Sequence, residues 1–78
     1  MNEIDTRVRE ILRLALKSDV PKEGNYSRDN DPNWDSLKHV EIIFMLEDEF
    51  GVQFAEDGFA SMNSVSEIVA LLEAKHAA

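Results

Sequence analysis

Apolar residues recur at three- and four-residue intervals in three separate segments of this chain, and no segment alternates in the two-residue rhythm of a strand. That pattern confines it to helices packed on helices. In the first segment, residues 3–17, Ile4, Val8, Ile11, Leu12 and Ala15 form one stripe. Asn2 is expected to cap this helix, and Lys17 suits its C-terminal end. The second helix is predicted over residues 36–50, with Gly51 as its stop and Asp35 or Ser36 supplying the N-cap oxygen. A short helix or irregular turn is expected near residues 56–61. The last helix is predicted over residues 65–75, striped by Val65, Ile68, Val69 and Leu72 and opened by the capping-box pair Ser64 and Glu67.

The segments differ most at residues 18–34. This stretch holds both prolines, a glycine and many Asn, Asp and Ser residues, so it reads as a loop. The expected fold is all-α: a small four-helix bundle of three main helices and one short one, with a long loop between the first and second. At 78 residues the chain is expected to be one domain, 1–78, with a single modest core. A core of this size leaves little room for a deep active site.

Composition removes whole classes of function. There is no cysteine, which excludes a disulfide scaffold, a thiolate nucleophile and a Cys-ligated zinc. The formal charge of −8 opposes binding to nucleic acid or to anionic membranes and favours partners with basic patches. The N-terminal residues have no basic and apolar leader pattern, and no apolar run approaches the roughly 20 residues of a membrane span. A cytoplasmic monomer is expected, with no membrane insertion.

The second helix presents two faces on a wheel of about 100° per residue. Ile42, Ile43, Leu46 and Phe50, joined by His39, form the core face. The other side carries Leu37, Val40 and Phe44 among Glu41, Glu47 and Asp48, with Met45 at its edge. Such a helix either packs on both sides or uses its second side for docking, with apolar anchors in an acidic rim. Ser36 stands at its positive N-terminal tip, where a phosphate ester is electrostatically favoured. By helix chemistry alone the ordinary capping serine is the better reading, because capping serines are common.

Three other constellations are weaker. Ser36 and His39 near acidic residues lack the Gly-x-Ser-x-Gly elbow and the desolvated pocket of a hydrolase triad. Asp29, Asp31, Asn33 and Asp35 alternate like the start of a calcium loop, but Trp34 stands where its glycine belongs and Val40 where its closing glutamate belongs. His39 and His76 have no metal-site spacing. Trp34, just ahead of the helix, is either a hydrophobic staple or a surface anchor for an enzyme.

The run Trp34-Asp35-Ser36-Leu37-Lys38-His39-Val40-Glu41-Ile42-Ile43 resembles the Asp-Ser-Leu segment of acyl carrier proteins. It continues as Leu46-Glu47-Asp48-Glu49-Phe50-Gly51-Val52-Gln53-Phe54, and Met62-Asn63-Ser64-Val65-Ser66-Glu67-Ile68 resembles the start of that family's final helix. The resemblance implies a carrier rather than an enzyme. It implies that a phosphopantetheinyl transferase moves the 4′-phosphopantetheine of coenzyme A onto Ser36, with Asp35 and Leu37 read beside it. The arm's thiol would hold an acyl or related group as a thioester, so a cysteine-free protein can do thiol chemistry. Val40, Glu41, Phe44, Met45, Glu47 and Asp48 would meet partner enzymes, among them an acyl-loading ligase or synthase with a basic docking patch.

The chain also departs from the family pattern. Asp31-Pro32-Asn33-Trp34 stands where carriers of primary fatty-acid synthesis have Leu-Gly, and Tyr26 takes the place of a loop phenylalanine. Lys38 and His39 dilute the acidity of the recognition helix, Phe44 is bulky, and Phe54 is large at a position lining the family's acyl pocket. These departures suggest fatty-acid-like or specialised biosynthesis with a short, polar or solvent-exposed cargo. An aminoacyl or peptidyl carrier, or an unmodified interaction module that kept the fold, stands as the alternative.

Overall fold

A computed structural model describes the backbone of residues 3–77, and the side chains of all of these except 56, 57, 76 and 77. The proposed cap at Asn2 and the side chain of His76 therefore lie outside the described residues. Four α-helices are present: α1 (Glu3–Leu16), α2 (Ser36–Phe50), α3 (Glu56–Ser61) and α4 (Val65–Ala77). Among the described residues there is no strand, and the chain is a small all-helical bundle with a long loop between α1 and α2. The helices fall where the apolar spacing places them, because each stripe has a partner to cover it.

The stripe of α1 packs against both α2 and α4. Val8, Ile11, Leu12, Ala15 and Leu16 from α1 meet Ile42, Ile43 and Leu46 from α2 and Val65, Ile68 and Leu72 from α4 in one buried cluster. Phe50 and Val69, expected on core faces, are only partly buried against it. An ion pair of 2.6 Å between Arg7 and Glu49 adds a surface tie between α1 and α2.

The helix ends follow local chemistry. Asp35 caps α2, its Oδ1 accepting the Lys38 N–H at 2.9 Å. Gly51 closes the same helix in the left-handed region (φ 64°), and the Val52 N–H reaches back to the Glu47 carbonyl at 3.2 Å, the long bond of a Schellman ending. At α4 the Ser64 Oγ accepts the Glu67 N–H at 3.2 Å, half of the expected capping box. The Glu67 carboxylate completes the pair differently, accepting the Ser64 hydroxyl at 3.1 Å rather than a backbone N–H.

The loop is far more structured than its composition suggests. Val20 and Trp34 lie in the core, and residues Arg28–Asn30 form a turn of 3-10 helix. Arg9, 6% exposed on α1, bonds Asp5 and also donates to the carbonyls of Pro21 (2.6 Å) and Gly24 (2.7 Å), pinning the first half of the loop. Arg13 donates to the Val20 carbonyl at 3.0 Å. The second half is laced to the start of α4. Ser27 and Ser64 form an isolated antiparallel bridge, with Arg28 N–H to Asn63 carbonyl and Val65 N–H to Tyr26 carbonyl both at 2.8 Å.

Residues 31–34 form a tight turn with proline at its second position, where its fixed φ is favourable, closed by the Trp34 N–H on the Asp31 carbonyl at 3.1 Å. The Asn33 amide reaches the Leu16 carbonyl and the Ser18 Oγ, both at 3.3 Å, so this turn ties the end of α1 to the start of α2.

Candidate functional site

Asp35, not Ser36, does the capping. This leaves the Ser36 hydroxyl exposed on the first residue of α2 with no duty to the helix. The first bond of the α2 ladder is the His39 N–H on the Asp35 carbonyl at 2.8 Å, so the N–H groups of Ser36 and Leu37 lie ahead of it at the positive end of the helix. Ser36 Oγ accepts one hydrogen bond, from Arg28 Nη2 at 3.2 Å. Arg28 was not singled out by the sequence. It sits eight residues upstream in a loop, and only the 3-10 turn swings it to the tip of α2.

Trp34 is buried, 2% exposed, which overturns the idea that it is a surface anchor. It occupies the position just ahead of the cap and packs on the fourth residue of the helix, His39, as a staple does. Here the pair is also polar: Trp34 Nε1 donates to His39 Nδ1 at 3.0 Å, and the rings stack with centroids 6.2 Å apart. Because indole can only donate, His39 Nδ1 must accept, which leaves the proton on Nε2. Nε2 then donates to the Phe59 carbonyl at 2.6 Å. The buried His39 thus joins the loop, α2 and α3 through one neutral ring, and both its nitrogens are engaged away from Ser36.

Partly buried Tyr26 and buried Asp31 form a second polar pair. The phenol donates to Asp31 Oδ2 at 2.7 Å, and Oδ1 accepts the Asn33 N–H at 2.9 Å. Burial raises the Tyr26 pKa to about 12, helped by the negative charge it faces. Burial also acts to raise the Asp31 pKa, but the bonds from Tyr26, Asn33 and Ser18 outweigh it and hold the carboxyl below its ordinary value. Among the described residues no group of three or more His, Asp or Glu side chains is arranged to hold a metal ion.

The outer side of α2 is not covered by the bundle. Leu37 is 72% exposed, Phe44 58% and Val40 37%, while Glu41 and Asp48 are exposed beside them. Three acidic-face members have internal ties. Met45 is partly buried against the core, Glu47 Oε2 accepts the Phe54 N–H at 2.8 Å, and Glu41 pairs with Lys38 at 3.2 Å. Phe54 itself is buried in the core, with the Lys75 ammonium 5.5 Å from its ring centre. Two surface concavities flank α1, one lined by Arg9, Arg13 and Lys22 with neighbouring acids and the other by Ile4, Arg7 and Phe50; neither is lined by Ser36.

An all-helical bundle with an exposed Asp-Ser-Leu serine at the tip of its second helix defines a carrier-type architecture. No family model matches the chain. Curated proteins do match it, and two of them are acyl carrier proteins. It is 37% identical over 71 residues to acyl carrier protein 3 of Ralstonia nicotianae, covering 87% of this chain and 79% of that protein. It is 32% identical over 76 residues to acyl carrier protein 2 of Pseudomonas aeruginosa, covering 94% of each. The chain belongs to the acyl carrier protein family.

Proposed function

We propose that residues 1–78 act as one carrier domain, non-catalytic and cytoplasmic, bearing a 4′-phosphopantetheine arm on Ser36. The observation that carries this reading is the Ser36 hydroxyl: exposed, released from capping by Asp35, and faced by a guanidinium. These residues fit the group. Ser36 Oγ would form the ester bond, Arg28 supplies a cation beside it, and the Ser36 and Leu37 N–H groups favour negative charge there.

Attachment would form the Oγ–phosphorus bond and break the phosphorus–oxygen bond to adenosine 3′,5′-bisphosphate, with the hydroxyl proton passing to a base on the transferase. His39, three residues on, is not free to act as that base, since its ring nitrogens bond Trp34 and Phe59. When bound, the arm supplies the thiol that holds an acyl group as a thioester. Leu37, Val40 and Phe44 with Glu41 and Asp48 would be the surface met by the transferase and by enzymes that load or use the cargo. The buried Phe54 favours a short or solvent-exposed cargo, in fatty-acid-like or specialised biosynthesis.

Incubation with coenzyme A and a broad-specificity phosphopantetheinyl transferase, followed by intact-mass analysis, tests the reading. One phosphopantetheinyl adduct is expected on the wild type and none on Ser36→Ala. An unmodified wild type, or equal modification of the variant, overturns it.

A further inference from the structure

The Ser36 hydroxyl does not need Arg28. An exposed serine at a helix start is solvated by water, and a guanidinium held on it gives the fold little. Yet Arg28 is held there by design of the loop. Its own N–H bonds the Asn63 carbonyl at 2.8 Å, its Nε donates to the Trp34 carbonyl at 3.1 Å, and its Nη1 lies 3.4 Å from Asn63 Oδ1. Backbone and side chain are thus anchored on two sides, and Nη2 is the nitrogen left pointing at Ser36. Among the described residues no carboxylate pairs with Arg28, whereas Arg7, Arg9 and Lys38 each have one; Arg13 also has none, but it is turned to the Val20 carbonyl and not to a hydroxyl at a helix start. In a chain of charge −8, a cation beside the serine with no carboxylate partner among the described residues favours an anion at that place.

We propose that Arg28 is a phosphodiester clamp: it binds a non-bridging oxygen of the phosphate on Ser36 and fixes the root of the arm against the 3-10 turn. This rests on the reading of Ser36 as the attachment site. The chemistry favours Arg28 over Lys38 in the first turn of α2, because Lys38 is paired with Glu41. A phosphodiester brings one full negative charge and two acceptor oxygens. Charge-assisted bonds of this kind are roughly twice as strong as the neutral bond to a hydroxyl that they would replace. The guanidinium would still keep its Nε bond to Trp34, so the clamp needs only a small swing at its tip. Because the same side chain bonds Trp34 and Asn63, the arm would also tie together the loop, the start of α2 and the approach to α4. Attachment of the arm should then stiffen the loop, and the arm should leave the protein in a restricted direction rather than swivel freely.

The test compares unmodified and modified protein by NMR. The chain has four arginines, so Arg7, Arg9 and Arg13 serve as internal references for Arg28. After modification verified by mass, the Arg28 Nε–H resonance, assigned with Arg28→Lys, is expected to shift while the other three stay in place. The phosphorus resonance of the arm should differ between wild type and Arg28→Gln, and the difference should shrink as salt is raised. Modification should raise the Tm of the wild type more than that of Arg28→Gln. A mass gain with an unmoved Arg28 resonance and an unchanged phosphorus signal overturns the clamp and leaves the Ser36 reading standing. Absence of a mass gain on the wild type overturns both. The wild-type resonance comparison does not use Arg28→Gln, so a poorly folded Arg28→Gln does not obscure the result.

Discussion

Tyr26 and Asp31 form a polar pair between two parts of the loop. A phenylalanine at residue 26 could only pack, whereas the tyrosine carries a hydroxyl into a partly buried site, where the buried Asp31 accepts it. The pair makes stability depend on pH at both ends. The folded Tyr26 titrates near 12, above its ordinary value of 10.0, so its contribution is complete below pH 10.0 and is lost as pH rises toward 12. Asp31 is shifted the other way. Its contribution is present above its ordinary value of 3.8 and is lost as pH falls through the lower folded value. Trp34, the chain's single tryptophan and buried, reports unfolding by fluorescence. Tyr26→Phe is expected to cost about 1–3 kcal/mol, to remove the alkaline loss and to move the acid transition to higher pH, since Asp31 stays buried with one donor fewer. An unchanged acid transition in the variant would count against this coupling.

At the scale of elements, the ends of α1 and α2 solve one problem with different residues. Both helices stop with a residue in the left-handed region, Lys17 at φ 55° and Gly51 at φ 64°. The Lys17 N–H closes α1 on the Arg13 carbonyl at 2.8 Å, and a side chain there carries the steric cost that glycine avoids. Around Gly51 an added Cβ would meet nothing, so backbone conformation alone decides the effect of a substitution. Lys17→Gly is expected to raise stability by roughly 0.5 kcal/mol, and Gly51→Ala to lower it by roughly 1 kcal/mol. Urea unfolding of the two variants measures both, and equal signs would contradict the shared role. The stripes, the Gly51 stop and the Ser64 cap were legible in the sequence, and the cap of α2 was narrowed to Asp35 or Ser36, because each depends on residues within four positions of one another. The duty of Arg9 was not. Nothing in the spacing of α1 marks it as internal, and it becomes so only because residues 21–24 fold back over α1.

Across the whole molecule, charge and apolar surface are divided unevenly. The bundle buries one side of α2 and leaves Leu37, Val40 and Phe44 outside, rimmed by Glu41 and Asp48. A helix that is central to a bundle has no reason to keep such residues in water, so docking is the better account of that face. Glu41→Lys together with Asp48→Lys is expected to leave helical circular dichroism unchanged. It should slow modification by a transferase roughly tenfold at low salt, with a smaller effect at high salt. Equal rates at low salt would remove the electrostatic part of the docking proposal. Glu47 is a poorer choice for such a test, since its carboxylate holds the Phe54 N–H and its loss would disturb the fold as well.

The sequence by itself determined the helices, the side of each that faces inward, and the serine at the tip of the second. Those follow from spacing along the chain and from a run of residues that the family shares. Only the tertiary structure decided what residues 18–34 do. It buried Trp34, gave its indole to His39, pinned the loop with Arg9 and set Arg28 on Ser36. The reason is distance along the chain. Arg28 and Ser36 are eight residues apart, His39 and Phe59 twenty, and Ser27 and Ser64 come from opposite sides of two helices. No periodicity links such positions. They meet because buried backbone and polar groups must find partners, and the loop is the only segment long enough to bring those partners to both α1 and α4.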